Sequence, residues 1–540
     1  VASSRPSDHI ESPTPDPSIV QPTLGLVGYA RFFWRQLTSM RTALFLLLLL
    51  AFAAVPGSLV PQQTSDPNGV IQYRAANPEL SKFLDAFGVF NTYTSIWFSA
   101  IYLLLFISLV GCIIPRTRHH IDALRTKPPK TPARLERLVG FARTEDADLD
   151  EANIAAATDA ARTLLRRAGY RTRHFTAADG GFSVSAERGY LRETGNLVFH
   201  AALVGILIAV GVGGGFGYTG QKLVVQGQSL TNLLTTYDSF NPGRFFSQDQ
   251  LQPYRLLLDK FSATYSQALN SYGQAIDYTA FVTTQEPGQQ PKKQTIKVNE
   301  PLHIGDTDVF LLGNGYAPWV TVRDASGKVA FSQPVAFLPQ DANLTSTGVI
   351  KVPDGLKQQV GMLALFYPTP CSPSICGAAL TSVYPGALDP TLTLSVYTGN
   401  LGLDNGQSTS AFSLNPDHLT KIAGRDSPNA GIDLKLGQTR ALPNGLGSVS
   451  FDKLPRYATF DVHHDPTAYW ALLFAILVLA GLLTGLFIPR RRVWVKAVTT
   501  KQGTRFEYAG LARGEDPGLA TAVAEIARKH SQQAGLTMAS

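Results

Sequence analysis

The chain has 540 residues, of which 44% are hydrophobic and only 16% charged, and its mean hydropathy of +0.02 is high for a soluble protein of that length. The long apolar runs occupy only about a sixth of it, which excludes a transporter-like bundle of ten or twelve spans and leaves most of the mass for extramembrane domains. A formal net charge of +7 raises the question of nucleic acid, but the charges are grouped around apolar runs and form no nucleic-acid footprint.

In chain order, residues 1–28 read as a disordered tail, with Ser, Pro and Asp dominating its first two-thirds. The stretch RFFWRQLTSMR then sets Phe32, Phe33 and Trp34 beside Arg31 and Arg35, a composition suited to the headgroup level of a bilayer. A bilayer core of about 30 Å takes about 20 helical residues. Four uncharged apolar runs meet that length, at 42–60, 93–115, 194–214 and 468–489. The first ends in AFAAVPG and imitates a signal peptide, but about forty residues precede it, so a retained anchor is expected. Between the first two spans, PELSKFLDAFGVF has the apolar spacing of a short amphipathic helix.

Residues 116–193 open with a Pro- and Lys-rich linker, TKPPKTPAR. They continue as a helix in EANIAAATDAARTLLRRAGYRTRH and a strand in FSVSAERG, a small α/β unit of about fifty residues. Residues 215–467 carry runs such as QKLVVQGQ, KQTIKVNEPL and LTLSVYTG, which alternate apolar and polar positions between Gly, Pro, Asn and Asp. They predict a β-sandwich or open barrel, anchored at both ends by the third and fourth spans. Residues 490–540 are left as a C-terminal tail.

Lys and Arg decide the orientation. Arg31, Arg35 and Arg41 precede the first span, seven basic residues from Arg116 to Arg137 follow the second, and Arg490, Arg491, Arg492 and Lys496 follow the fourth. The positive-inside rule then puts both termini and the 116–193 loop in the cytoplasm, with 61–92 and 215–467 outside. The inner loop has 15 basic against 11 acidic residues, whereas the long outer segment has 17 against 19. The expected fold is therefore a membrane protein of four transmembrane α-helices with a large β-rich extracytoplasmic domain and a small cytoplasmic α/β unit.

Enzyme signatures are missing: there is no GxxxxGK[ST], GxSxG, HExxH, paired CxxC or dinucleotide fingerprint, and no CxxCH. Histidine placement stands out instead. His200 lies about six residues into the third span, where an ionisable side chain is costly unless it meets a neighbouring helix, a cavity or a cofactor, and neutral imidazole is a good axial ligand for haem iron. His463 and His464 lie just outside the fourth span, as solvated residues or as a weaker haem or metal site; on an extended chain they face opposite sides. His119 and His120 follow the second span and read as a solvated basic face. His303 and His418 have no evident partner. Cys371 and Cys376, as CSPSIC in the outer segment, read as a loop-closing disulfide rather than a redox pair, and Cys112 reads as a small buried apolar residue.

Taken together, RxLTSMRTAL running into PGSLVPQ, the span ending GCIIPR, then ERGYLRETGNLVFH and VNEPLHIGDTDVFLLGNGYAPWVTVRDASGKV resemble the ResB (CcsB) family of system II cytochrome c biogenesis over residues 29–500. The resemblance implies an accessory subunit in the plasma (inner) membrane. It would work with a ResC/CcsA-type partner bearing a WWD motif, which this chain lacks, to move haem b outward to apocytochrome c for covalent attachment. A thioredoxin-like thiol reductase is a further implied partner. The family's membrane histidine corresponds to His200, the single histidine in the four runs, with the second axial ligand expected from the partner. Two other readings remain open: a scaffold of the same assembly that binds no haem, and a membrane sensor with an outer β-domain.

Overall fold

The computed structural model describes residues 25–176, 181–371, 380–403, 411–425, 427 and 429–539, so most of the expected N-terminal tail lies outside the described residues. The chain forms two compact units, Val1–Val210 with Ala468–Ser540, and Gly211–Thr467. Among the described residues, four helices are long and apolar enough to cross a membrane.

In the first unit, helix α1 (Leu26–Leu37) carries the aromatic and basic residues and leaves Phe32, Phe33 and Trp34 exposed. A turn leads into the first apolar helix, α2 (Met40–Leu59), whose N-cap Ser39 accepts from the Thr42 amide at 3.2 Å and so satisfies an amide with no partner inside the helix. Two short helices, α3 (Pro67–Ala76) and α4 (Pro78–Ala86), occupy the loop in which one was expected, each opened by a proline at its first position. The second apolar helix, α5 (Ile96–Arg125), has 30 residues and continues past Pro115, where the apolar run ends. Proline removes one backbone hydrogen bond, but the following turns are held by tertiary packing of His120, which is 6% exposed. The elbow between α1 and α2 rests on α5: Ser108 Oγ donates to the Leu37 carbonyl at 2.5 Å and Cys112 Sγ to the Thr38 carbonyl at 2.8 Å.

Beyond a capped helix α6 (Glu151–Arg167), the third and fourth apolar helices are α7 (Leu191–Phe216) and α8 (Ala468–Phe487). They pack through glycine. A methyl group at Gly481 would lie 2.6 Å from the Phe199 amide nitrogen and 2.7 Å from the Gly195 carbonyl, so the close approach depends on small residues. Tyr102 on α5 donates to the Leu207 carbonyl of α7, a polar contact between two apolar helices.

The α/β part of this unit differs from the expectation. Its sheet has five antiparallel strands in the order Val139–Arg143, Gly503–Ala512, Arg491–Thr500, Phe182–Arg188, Arg171–Thr176. The segment expected as a C-terminal tail thus supplies an inner hairpin and a covering helix, α9 (Leu519–Ala534). The hairpin alternates Val493, Val495 and Ala497 toward α6 and α9, where Val184, Phe506, Tyr508 and Leu165 complete the core, and turns Trp494 and Ala509 to the other face against Leu135. Two of the five strands of this sheet therefore come from the far end of the chain.

In the second unit, long antiparallel strands form two cores. One gathers Leu256, Leu258, Val282, Val309, Phe460 and Val462; the other gathers Val320, Ile350, Met362, Phe366, Leu394 and Phe451. The chain passes between the corresponding sheets at two prolines. Thr307–Tyr316 gives way to Trp319–Arg323 across Pro318, and Gly447–Lys453 to Arg456–His464 across Pro455. Proline cannot donate to a ladder, so each break is local and sharp, and the Ala317 amide crosses to the Pro455 carbonyl at 2.8 Å. A β-rich domain of antiparallel sheets was expected here and is present.

His530 on α9 is buried, accepts from Tyr508 Oη at 2.7 Å through Nδ1 and donates to the Ala157 carbonyl at 2.8 Å. Burial pushes its pKa below the usual 6.5. The folded layer refuses a proton that the unfolded chain accepts, so this contribution is complete above pH 6.5 and is lost as pH falls through the folded pKa. Hydrogen exchange of α9 in the full chain should therefore quicken from pH 7 to pH 5 after correction for the intrinsic rate, and His530→Gln should flatten that dependence.

Candidate functional site

A cluster of charged residues that the sequence did not single out lies at one end of helices α5, α7 and α8. Arg490 follows α8 directly, yet its side chain is only 8% exposed. Its guanidinium pairs with Glu187, at the end of strand Phe182–Arg188, at 2.7 Å, and with Glu193, in the first turn of α7. It also lies over the Tyr190 ring at 4.8 Å. Glu187 additionally receives Arg492 at 3.1 Å and the Tyr190 hydroxyl at 3.0 Å, and Glu193 receives Arg513. A planar fork that serves two carboxylates suits arginine rather than lysine. Next to it, Arg491 forms a bidentate pair with Asp516, at 2.5 and 2.8 Å, which holds the Asp516 carboxyl below the usual range.

His120 belongs to the same cluster. Its Nδ1 is 3.3 Å from Glu193 Oε2 and its Nε2 2.9 Å from Thr194 Oγ1. The expected solvated pair is therefore split: the helix turns about 100° between neighbours, which buries His120 against α7 and leaves His119 exposed. Sequence reading missed this because it ended the second span at Pro115 and treated what followed as loop.

His200 lies seven residues beyond Glu193 on α7, about 10 Å along the axis. Its Nδ1 donates to the Asn196 carbonyl at 2.7 Å, one turn back, and its ring meets Phe199 edge-on at 5.0 Å. That bond places a proton on Nδ1, and among the described residues no hydrogen-bond partner meets Nε2. One ring nitrogen anchored and the other open is the arrangement of a metal-ligating histidine.

In the second unit, His463 and His464 are neighbours on strand Arg456–His464 and face opposite sides. His463 Nε2 donates to Asp461 Oδ2 at 2.7 Å, which raises its pKa above the usual value, and its ring packs on Phe310. The hydrogen bond leaves Nδ1 as the nitrogen for any ligand, at the cost of a proton that Asp461 helps to retain. His464 is more buried, 2.9 Å from the Asp306 carbonyl and stacked on Tyr218 at 5.2 Å, so packing uses one face and one nitrogen. His303 pairs with Asp308 at 3.0 Å in an exposed setting. Among the described residues, no group of three His, Cys, Asp or Glu is arranged to hold a metal ion. Cys371 ends a short strand, and its expected partner Cys376 lies outside the described residues.

Residues 40–524 match the ResB-like family. Curated relatives include the cytochrome c biogenesis protein CcsB of Synechococcus sp. (strain WH7803), 28% identical over 284 residues that cover 51% of this chain and 58% of the relative. CcsB of Thermosynechococcus vestitus is 25% identical over 291 residues, 52% of this chain and 60% of the relative. CcsB of Prochlorococcus marinus (strain NATL2A) is 25% identical over 271 residues, 49% and 57% of the two chains. The chain thus spans less than two thirds of the length of these relatives.

Arg490→Gln would leave Glu187 and Glu193 buried with less compensation, a loss of about 3–5 kcal/mol by analogy with other buried pairs. Thermal unfolding of the purified chain should show a large drop for this variant, and Arg490→Lys should recover only part of it.

Proposed function

The chain belongs to the ResB-like family, and on that footing we propose that it serves cytochrome c biogenesis as the subunit that helps carry haem across the plasma membrane to apocytochrome c. It acts with a ResC/CcsA-type partner that performs the covalent attachment, and is itself an accessory rather than a catalytic subunit. The relatives' names support the process. The observation that carries the haem-handling role is His200: an imidazole on an apolar helix, anchored through Nδ1 to Asn196, with Nε2 open.

Haem is the cargo here. His200 supplies one axial nitrogen to its iron, and the partner supplies the other. Neutral imidazole ligates without first losing a proton, and the surrounding apolar helix excludes water from the bond. The distribution of Lys and Arg supports an orientation with the α/β layer in the cytoplasm and the β-rich unit outside, where apocytochrome c and a thioredoxin-like thiol reductase would be met. His463 and His464 are the chain's histidines nearest in sequence to the outer end of a span. His463 offers Nδ1 to haem at that end, with Asp461 orienting the ring. Such a ligand would bind more strongly as pH rises through the elevated pKa of His463.

His200→Ala should lower the haem that copurifies with the chain and its partner, seen as loss of Soret absorbance, and should lower cytochrome c maturation in cells. Added imidazole, filling the vacated iron position, should restore part of both. Full haem and normal maturation in the alanine variant would make His200 a packing residue and favour the scaffold reading.

A further inference from the structure

Beside the ionic cluster, α5, α7 and α8 line an open cavity of about 820 Å³, within the about 300–1,000 Å³ usual for small-molecule sites. Its lining includes the apolar Leu197, Phe199, Leu482 and Leu486, with Gly481 and Gly485. The same lining includes the basic Arg116, His119, Arg192 and Arg513. Glu193 is the single acidic residue on this wall and already receives Arg490, Arg513 and His120.

Among the described residues, two of these guanidiniums have no carboxylate partner. Arg116 donates to Met40 Sδ at 2.6 Å, and Arg192 donates to the Arg513 carbonyl. Neither partner carries a charge, and both arginines line the cavity beside apolar residues. His119 lines the same cavity, and its imidazole makes no hydrogen bond among the described residues. His119 and Arg513 also line a second cavity, of about 630 Å³, whose wall adds Lys127, Arg173 and Arg492. The two spaces therefore share one histidine and one arginine in their linings, and both linings mix polar and apolar residues, the second including Asp122 and Glu187.

From this we infer that the pair of cavities is the uptake path for haem ahead of His200, with Arg116 and Arg192 receiving its two propionate carboxylates and His119 its iron on the way. The inference rests on the haem-handling reading above and adds to it a second site. A flat apolar macrocycle with two carboxylates on one edge matches a lining that combines apolar side chains with two guanidiniums lacking a carboxylate among the described residues, and planar charge-assisted hydrogen bonds favour arginine for that task. The path continues on α7 itself. Asn196 lines the cavity, and its carbonyl is the group that fixes the His200 ring.

The test is a titration of the full chain, purified with its partner in neutral detergent, with protoporphyrin IX and with its dimethyl ester, which keeps the macrocycle and lacks the charges. The diacid should bind about tenfold or more tightly than the ester, and Arg116→Gln with Arg192→Gln should bring the diacid close to the ester, as expected for charge-assisted hydrogen bonds. His119→Ala should leave diacid affinity unchanged and shift the Soret maximum of haem added to a His200→Ala background. Equal binding of diacid and ester, or unchanged diacid binding in a double arginine variant that melts normally, overturns the inference. So does displacement of the diacid by equimolar phosphatidylglycerol, which would make the cavity a lipid site. If His200→Ala loses copurifying haem while the arginine pair has no effect, the haem-handling function stands and the path alone falls. If the arginine pair controls diacid binding while His200→Ala keeps its full haem, the path stands and the role of His200 falls.

Discussion

The rest of the first unit depends on a buried cation. Arg490 leaves the last apolar helix and turns inward between Glu187 and Glu193, so that one guanidinium holds the end of α8, the start of α7 and an inner strand of the sheet. Removing a charge of either sign leaves the others without compensation in a poorly hydrated place, which makes the junction costly to open. The arginines from which the sequence suggests an orientation thus also have a structural task. A lysine-rich junction would satisfy the same topological rule but would lack the planar fork that serves two carboxylates together.

Because that junction is fixed, the helices above it can be spaced for a ligand. Glycine at 195 and 481 brings α7 and α8 into backbone contact, and the bulkier residues around them bound a cavity instead of filling it. His200 sits about two turns beyond the cluster, its tautomer set by its own helix rather than by a neighbour. A histidine tied to a second helix would move whenever that helix moved. Anchored to the carbonyl four residues back, it keeps an orientation set by its own helix.

How much of this could be read from residues alone follows from the range of each interaction. The four apolar helices were legible because hydrocarbon length is a local property of the sequence, and the β-rich unit was legible through period-two alternation. The tail after 490 was misread because its strands pair with residues more than three hundred positions away, and a two-stranded hairpin does not announce its neighbours. Pro115 was taken as the end of a helix that packing carries on for another ten residues, which hid the burial of His120. His200 stood out by its cost in hydrocarbon, whereas an Nε2 with no hydrogen-bond partner and two arginines with no carboxylate, among the described residues, became visible only once three helices were set side by side.

The claim common to these observations is that haem is held within this chain's apolar helices, on His200. Electron cryo-microscopy of the chain with its partner, prepared with haem, tests it most directly. The account predicts macrocycle density against α7 with iron at bonding distance from His200 Nε2. Density confined to the partner, with His200 packed against protein, would contradict it.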